Sequence, residues 1–149
     1  MDRIITNMMS TLSHIKKLCA RPCVSKIHGV GLKAIRHIYK GEQLFPAHFP
    51  SGEWVHKHKL QNLYISDNTI NMLQDFYCCE TKGPSMVFCP TYQEGLLLQS
   101  FMNHEEDANT RLINGYTVAT KDIMEGDEIT ENYFDICGAE YCRTKFNLK

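Results

Sequence analysis

The chain has 149 residues, enough for one domain with its own hydrophobic core. Hydrophobic residues make up 43% and charged residues 22%, and no apolar run approaches the roughly 18 residues that span a bilayer, which excludes a transmembrane helix. The formal net charge of -1 conceals an asymmetry. Residues 1–60 hold ten Lys/Arg against three acids, whereas residues 101–135 hold two bases against nine acids, a local charge of 2 − 9 = -7. Such a stretch is either a solvated acidic face or a surface that attracts cationic ligands and peptides.

Ile4, Met8, Leu12, Ile15 and Leu18 follow the stripe of an amphipathic helix. Lys16, Lys17 and Arg21 suit its C-terminal end, and Pro22 is expected to stop it. Residues 1–22 are therefore a helical segment, either packed on the domain or serving as a basic, acid-poor targeting presequence. From residue 23 the period changes. Val24, Ile27, Val30, Leu32, Ala34, Ile35, Ile38 and Leu44 are closely spaced, with Gly29, Gly31 and Gly41 between them, which predicts short strands joined by turns. Gly29-Val30-Gly31 lacks the third glycine of a dinucleotide fingerprint, but it offers a backbone that a ligand can approach closely.

Asn68–Phe76 predicts a short helix and Met86–Cys89 a short strand. His56 and His58 alternate, so on a strand they would share a face. Phe101-Met102 ends an apolar segment that leads into Asn103-His104, a polar pair at its edge. Arg111–Thr120 alternates into Tyr116–Thr120, an expected strand. Another, Glu128–Tyr133, follows the Gly126-Asp127 turn and would deliver Tyr133 at its end. The seven cysteines are odd in number and irregularly spaced, with no secretory signal, so free thiols in a reducing compartment are expected. No set of four zinc ligands is apparent, and no metal site is predicted. Many short strands, few helices and several glycine turns make a β-rich α+β domain.

Three pieces of this pattern resemble one family. Ile27–Ala34 with Ile38–Glu42 looks like the opening of a SET domain. Phe101-Met102-Asn103-His104 with Asn109 is similar to its Asn-His-x-x-x-Pro-Asn segment, and Gly126-Asp127-Glu128-Ile129 with Tyr133 to its closing Gly-Glu-Glu-Leu-x-x-x-Tyr element. They occur in the family's order and cover about residues 24–136. The compact form is similar to small viral and bacterial SET proteins that lack accessory domains. The resemblance implies several small sheets with a C-terminal pseudoknot, a SET-like catalytic domain over 23–136 and a C-terminal lid segment over 137–149. Ala108 stands where the family has Pro, and Glu105-Glu106 where it has Ser-Cys. The family's cysteine ligand of a C-terminal zinc cluster is thus absent.

By resemblance the protein would be a lysine methyltransferase using S-adenosylmethionine. Tyr133 would be the catalytic residue, with its hydroxyl near the transferring methyl group and the lysine nitrogen. Gly29, Val30, Gly31, Leu32, Asn103 and His104, together with Tyr133, would hold the cofactor. Tyr92 and Tyr116, with Tyr64 and Tyr77 as further candidates, would line the lysine channel. Glu105 and Glu106 would attract a basic peptide such as a histone tail and oppose nucleic acid. A homodimer could complete the peptide groove. A histone substrate would place the protein in the nucleus, and organellar targeting by the N-terminal segment stays open. The alternatives are a SET-like module that binds a basic partner and a methyltransferase for a nonhistone protein.

Overall fold

A computed structural model of the protein describes residues 15–46, 51–77, 82–91 and 97–149. β1 (Ala20–Val24) and β2 (Val30–Ala34) form an antiparallel hairpin, from Ala20 opposite Ala34 to Val24 opposite Val30. Ser25 closes its loop by accepting hydrogen bonds from the main-chain N–H groups of Ile27 and His28. Gly29 completes the turn at φ +51°, a conformation that glycine adopts without the Cβ penalty. Pro22 therefore does not end a helix. It sits in β1, the edge strand of its sheet, where its missing N–H costs no ladder bond. The helical segment expected over 1–22 thus stops short of residue 20, and its first fourteen residues lie outside the described ones.

The first sheet runs from β1 through β2 to two later strands, Glu128–Glu131 and Asn103–His104. β9 (Glu128–Glu131) runs antiparallel to β2, with Ile129 opposite Leu32. β6 (Asn103–His104) runs parallel to β9, with Asn103 opposite Thr130 and His104 opposite Glu131. A second sheet joins β3 (Gln43–Pro46), β8 (Tyr116–Ala119) and β7 (Thr110–Ile113). The strand expected over Tyr116–Thr120 is β8, and β7 pairs with it as the other arm of a hairpin. Asn114 and Gly115 take φ of 49° and 77°, the paired left-handed conformation that matches the twist of adjoining strands. In the third sheet β4 (Gly52–His56) pairs with β5 (Met86–Pro90). His56 ends β4 and His58 lies in α1 (Lys57–Asn62), yet their rings are 5.2 Å apart.

The main core gathers Leu32, Ala34, Ile38, Met102, Ala119, Ile123 and Ile129 from three strands and three connections. Each fully buried Leu or Ile contributes about 1.5–3 kcal/mol, so this cluster fixes the relative positions of β2, β6 and β9. A second cluster packs α2 (Asp67–Phe76) on the third sheet through Ile70 and Leu73, against Leu60 and Val87. The helix begins at Ser66, whose hydroxyl accepts from the N–H of Thr69.

The C-terminal segment is mainly helical. α3 (Tyr133–Cys137) passes through Gly138 into α4 (Ala139–Phe146). Tyr141 anchors α4 to α2 by donating to the carbonyl of Gln74 at 3.0 Å, and Lys145 pairs with Asp75 at 3.1 Å. Cys19, Cys23, Cys89 and Cys142 are free, but Cys137 is disulfide-bonded, which departs from the all-thiol expectation. Irregular sequence spacing does not reveal which cysteines folding brings together.

Candidate active site

One carboxylate ties Asn103 to Ser25 and packs closely over Gly31. Oε1 of Glu128 accepts from the Ser25 hydroxyl at 2.7 Å and from Nδ2 of Asn103 at 2.9 Å. The same Nδ2 lies 3.0 Å from the carbonyl of His28 and 3.3 Å from that of Val30. A Cβ on residue 31 would overlap Glu128 Oε1 and press on Asn103 Nδ2, so glycine is required there. Oδ1 of Asn103 makes no hydrogen bond among the described residues. Beside it Gly29 is open, with nothing within 4 Å of where a Cβ would stand, and Val30 is half exposed. Leu32 is fully buried and serves the core.

Tyr133 is not at the end of a strand. β9 stops at Glu131, and Asn132 caps α3 by accepting from the N–H of Phe134 at 3.0 Å. Tyr133 is therefore the first residue of a helix, where a main-chain N–H has no partner within the helix. That N–H donates to Nδ1 of His104 at 3.1 Å. Nδ1 must be unprotonated to accept, which places the ring proton on Nε2. Burial lowers the His104 pKa, against the opposing influence of Glu106 and Glu105, and favours this neutral form. The Tyr133 hydroxyl donates to the carbonyl of Met102 at 2.8 Å. Its ring packs against His104 and Phe146, with centroids 5.3 and 5.2 Å away. Burial first, then the charges of Glu131, Cys142 and Asp75, push the hydroxyl pKa well above the ordinary tyrosine range. Tyr133 keeps its proton and acts as a neutral, oriented hydroxyl.

Asn109 laces the two halves of the site. Its Nδ2 donates to the carbonyl of Glu128 at 2.7 Å, and its Oδ1 accepts from the N–H of Thr130 at 2.9 Å, as a neighbouring strand would. Thr110 adds a bond to the carbonyl of Thr130 at 2.7 Å. Ala108, in the proline position of the family pattern, leaves this lacing intact.

Glu105 and Glu106 are exposed beside the site, and Glu105 accepts from the Thr130 hydroxyl at 3.1 Å. Tyr116 lies at the β7–β8 turn, 41% exposed, with no ring contact to the Tyr133 cluster among the described residues. Tyr64 is exposed on a loop, and Tyr77 is buried against Phe88. Tyr92 lies outside the described residues. Two acids were given no role in the sequence, although both belong to the site: Glu128, which ties Asn103 to Ser25 in the β1–β2 loop, and Glu131. The strand period was the available signal, because Glu131 lies two residues beyond Ile129 on the same face of β9.

A family model described as SET domain matches residues 29–134. Among solved structures, a humanized mutant of the Chaetomium thermophilum Polycomb Repressive Complex 2 bound to the inhibitor GSK126 superposes with a TM-score of 0.51 at 18% identity, over 83% of this chain and 16% of that one. The same complex bound to GSK343 gives 0.50 at 19% identity, over 80% of this chain and 16% of that one. The Neurospora SET domain protein DIM-5, a histone lysine methyltransferase, gives 0.48 at 18% identity, over 76% of this chain and 51% of that one. The chain thus spans only a small part of the Polycomb chains, and at these identities the likeness is one of fold. No curated protein sequence matches. The family match runs from Gly29 to Phe134 and takes in Gly31, Asn103, His104, Asn109, Glu128 and Tyr133; the chain belongs to the SET-domain family.

Proposed function

We propose that this protein transfers a methyl group from S-adenosylmethionine to the ε-amine of a lysine in a basic protein segment, with a histone tail as the leading substrate. The observation that carries the reading is the junction of β2, β6 and β9. There the Gly29–Gly31 backbone, Asn103 and a protonated Tyr133 are fixed by hydrogen bonds rather than left to loop motion.

The residues present fit the cofactor. Oδ1 of Asn103 is a hydrogen-bond acceptor without a partner among the described residues, suited to an amino group. The open face of Gly29 leaves room for a ligand against the backbone. When bound, the cofactor supplies an electrophilic methyl group. The chain supplies alignment, which is worth most when the reacting atoms are held near attack distance. The Tyr133 proton is committed to Met102, so the phenol oxygen presents its lone pairs. It can accept from a lysine N–H and so aim the nitrogen lone pair.

The test is to incubate the protein with labelled S-adenosylmethionine, core histones and a cell lysate, beside Tyr133→Phe. Label on lysine that falls sharply in the variant is the expected result. Cofactor binding with no transfer to any protein would identify a binding module instead and overturn the enzymatic reading.

A further inference from the structure

Transfer to lysine requires a neutral amine, although a free lysine side chain has a pKa of about 10.4. Some group must take the ammonium proton. Tyr133 cannot, because burial and neighbouring charge hold its own proton in place. His104 cannot use Nδ1, which is occupied by the N–H of Tyr133.

Glu131 remains at this junction. It is the last residue of β9 and the register partner of His104 on β6. Partners on parallel strands project their side chains to the same face, so Glu131 leaves the sheet on the side where His104 stacks on Tyr133. Its carboxylate has no hydrogen bond or ion pair among the described residues. Its charge bears on the Tyr133 hydroxyl more strongly than that of Cys142 or Asp75. A half-buried carboxylate with no cation beside it among the described residues, on the face where His104 stacks on the reactive tyrosine, calls for a role.

On the reading that the protein methylates lysine, we propose that the Glu131 carboxylate receives the proton of the substrate lysine ammonium. The lysine N–H bond breaks and a carboxyl O–H bond forms. The freed nitrogen lone pair then makes the new C–N bond as the sulfur–methyl bond breaks, and that electron pair leaves with sulfur as a neutral thioether. The proton on Glu131 passes to water once product departs.

The surroundings suit this exchange. Burial pushes the Glu131 carboxyl up to about 8, and an acid–base group works best when its pKa lies near the working pH. His104 faces it from β6 in neutral form and Tyr133 from α3, with Asp75 on α2 and Cys142 on α4 bearing on the same tyrosine. Arg111 on β7 is engaged with Asp135 at 3.4 Å, and Lys33 on β2 stands opposite Glu128. No cation among the described residues pairs with Glu131, which leaves that part to the incoming lysine.

The experiment compares wild type, Glu131→Gln and Glu131→Asp as full chains, with a synthetic lysine-bearing histone-tail peptide. It reads kcat and KM across pH, and the affinity for S-adenosylhomocysteine by calorimetry. Glu131→Gln should lower kcat by about 10²–10⁴-fold, leave KM and cofactor-product affinity near wild type, and abolish the rise of rate through pH 8. Raising the pH toward about 10, where lysine loses its proton unaided, should recover part of the Gln variant's rate. Glu131→Asp should keep part of the rate at every pH. A Gln variant with wild-type kcat and pH profile overturns the role. So does a rise in KM alone, which would mark charge recognition, or a loss of calorimetric affinity matching the loss of rate, which would mark a structural part. Wild type that transfers no methyl group overturns the proposed function as well, and is told apart because the wild-type arm itself fails.

Discussion

The hydroxyl of Tyr133 donates to the main-chain carbonyl of Met102 at 2.8 Å, joining the start of α3 to the residue before β6 across 31 positions of the chain. The bond fixes the phenol oxygen and commits its proton, which is what an orienting group requires. Tyr133→Phe keeps the ring contacts with His104 and Phe146 and removes only the oxygen. Loss of one preorganised polar group at a reacting centre costs about 10²–10³-fold in kcat. The variant should show that loss while binding S-adenosylhomocysteine within a fewfold of wild type by calorimetry. Wild-type turnover in the Phe variant would remove Tyr133 from the chemistry.

Gly31 and Gly29 should respond differently to alanine. At Gly31 the added methyl meets Glu128 Oε1, which is held by Ser25 and Asn103 and cannot yield without breaking those bonds. Overpacking of this kind costs about 1–3 kcal/mol, so Gly31→Ala should unfold at lower urea concentration. At Gly29 there is open space, and the penalty is that of φ +51°, about 1 kcal/mol. Its methyl instead enters the face offered to the cofactor, so affinity should fall more than stability does. Equal losses of stability with unchanged cofactor affinity in both variants would contradict this division.

The ordered triple of motifs was legible in the sequence because each piece has a local reason. Glycine is needed at residues 29 and 31, an Asn-His pair at an apolar edge, and a Gly-Asp turn ahead of β9. Boundaries were less legible where a long-range partner decides them. Pro22 looked like a helix stop, yet β1 tolerates it because no described strand pairs on its outer side. Tyr133 looked like the end of a strand until Asn132 capped a helix in front of it. The Asn114–Gly115 turn had a direct local signal for the hairpin of β7 and β8. Glu131 was hidden in the charge count: the strand period puts it on the face of Ile129, and the pairing of β6 with β9 puts that face beside His104.

Glu131 should also mark the stability curve. Its ordinary pKa is 4.5 and its folded value about 8, because burial disfavours the ionised form. Between those values the folded chain binds more protons than the unfolded one, so stability falls as pH rises from about 4.5 to about 8 and then levels. Glu131→Gln removes the ionisation. It should gain on wild type steadily across that window, with little gain at its acidic end. Urea unfolding at several pH values measures the difference, and a difference that stays constant with pH would show that Glu131 titrates as an ordinary carboxyl.

The acidic surface is smaller than its charge count. Asp107 pairs with Lys121 at 2.8 Å and Asp135 with Arg111 at 3.4 Å, while Glu128 is engaged by Ser25 and Asn103 and Glu131 is half-buried. Glu105 and Glu106 remain exposed beside the site. Glu106→Lys should weaken binding of a Lys/Arg-rich peptide, and more at low than at high salt, since screening acts over about 10 Å at 0.1 M. Asp107→Asn removes a charge that Lys121 already offsets and should change affinity less. Glu105→Lys should weaken binding and also cost stability, because the Thr130 hydroxyl loses its acceptor. Peptide titrations at two salt concentrations, with urea unfolding of each variant, separate these effects. An affinity that Glu106→Lys leaves unchanged at both salts would show that the peptide does not approach over this face.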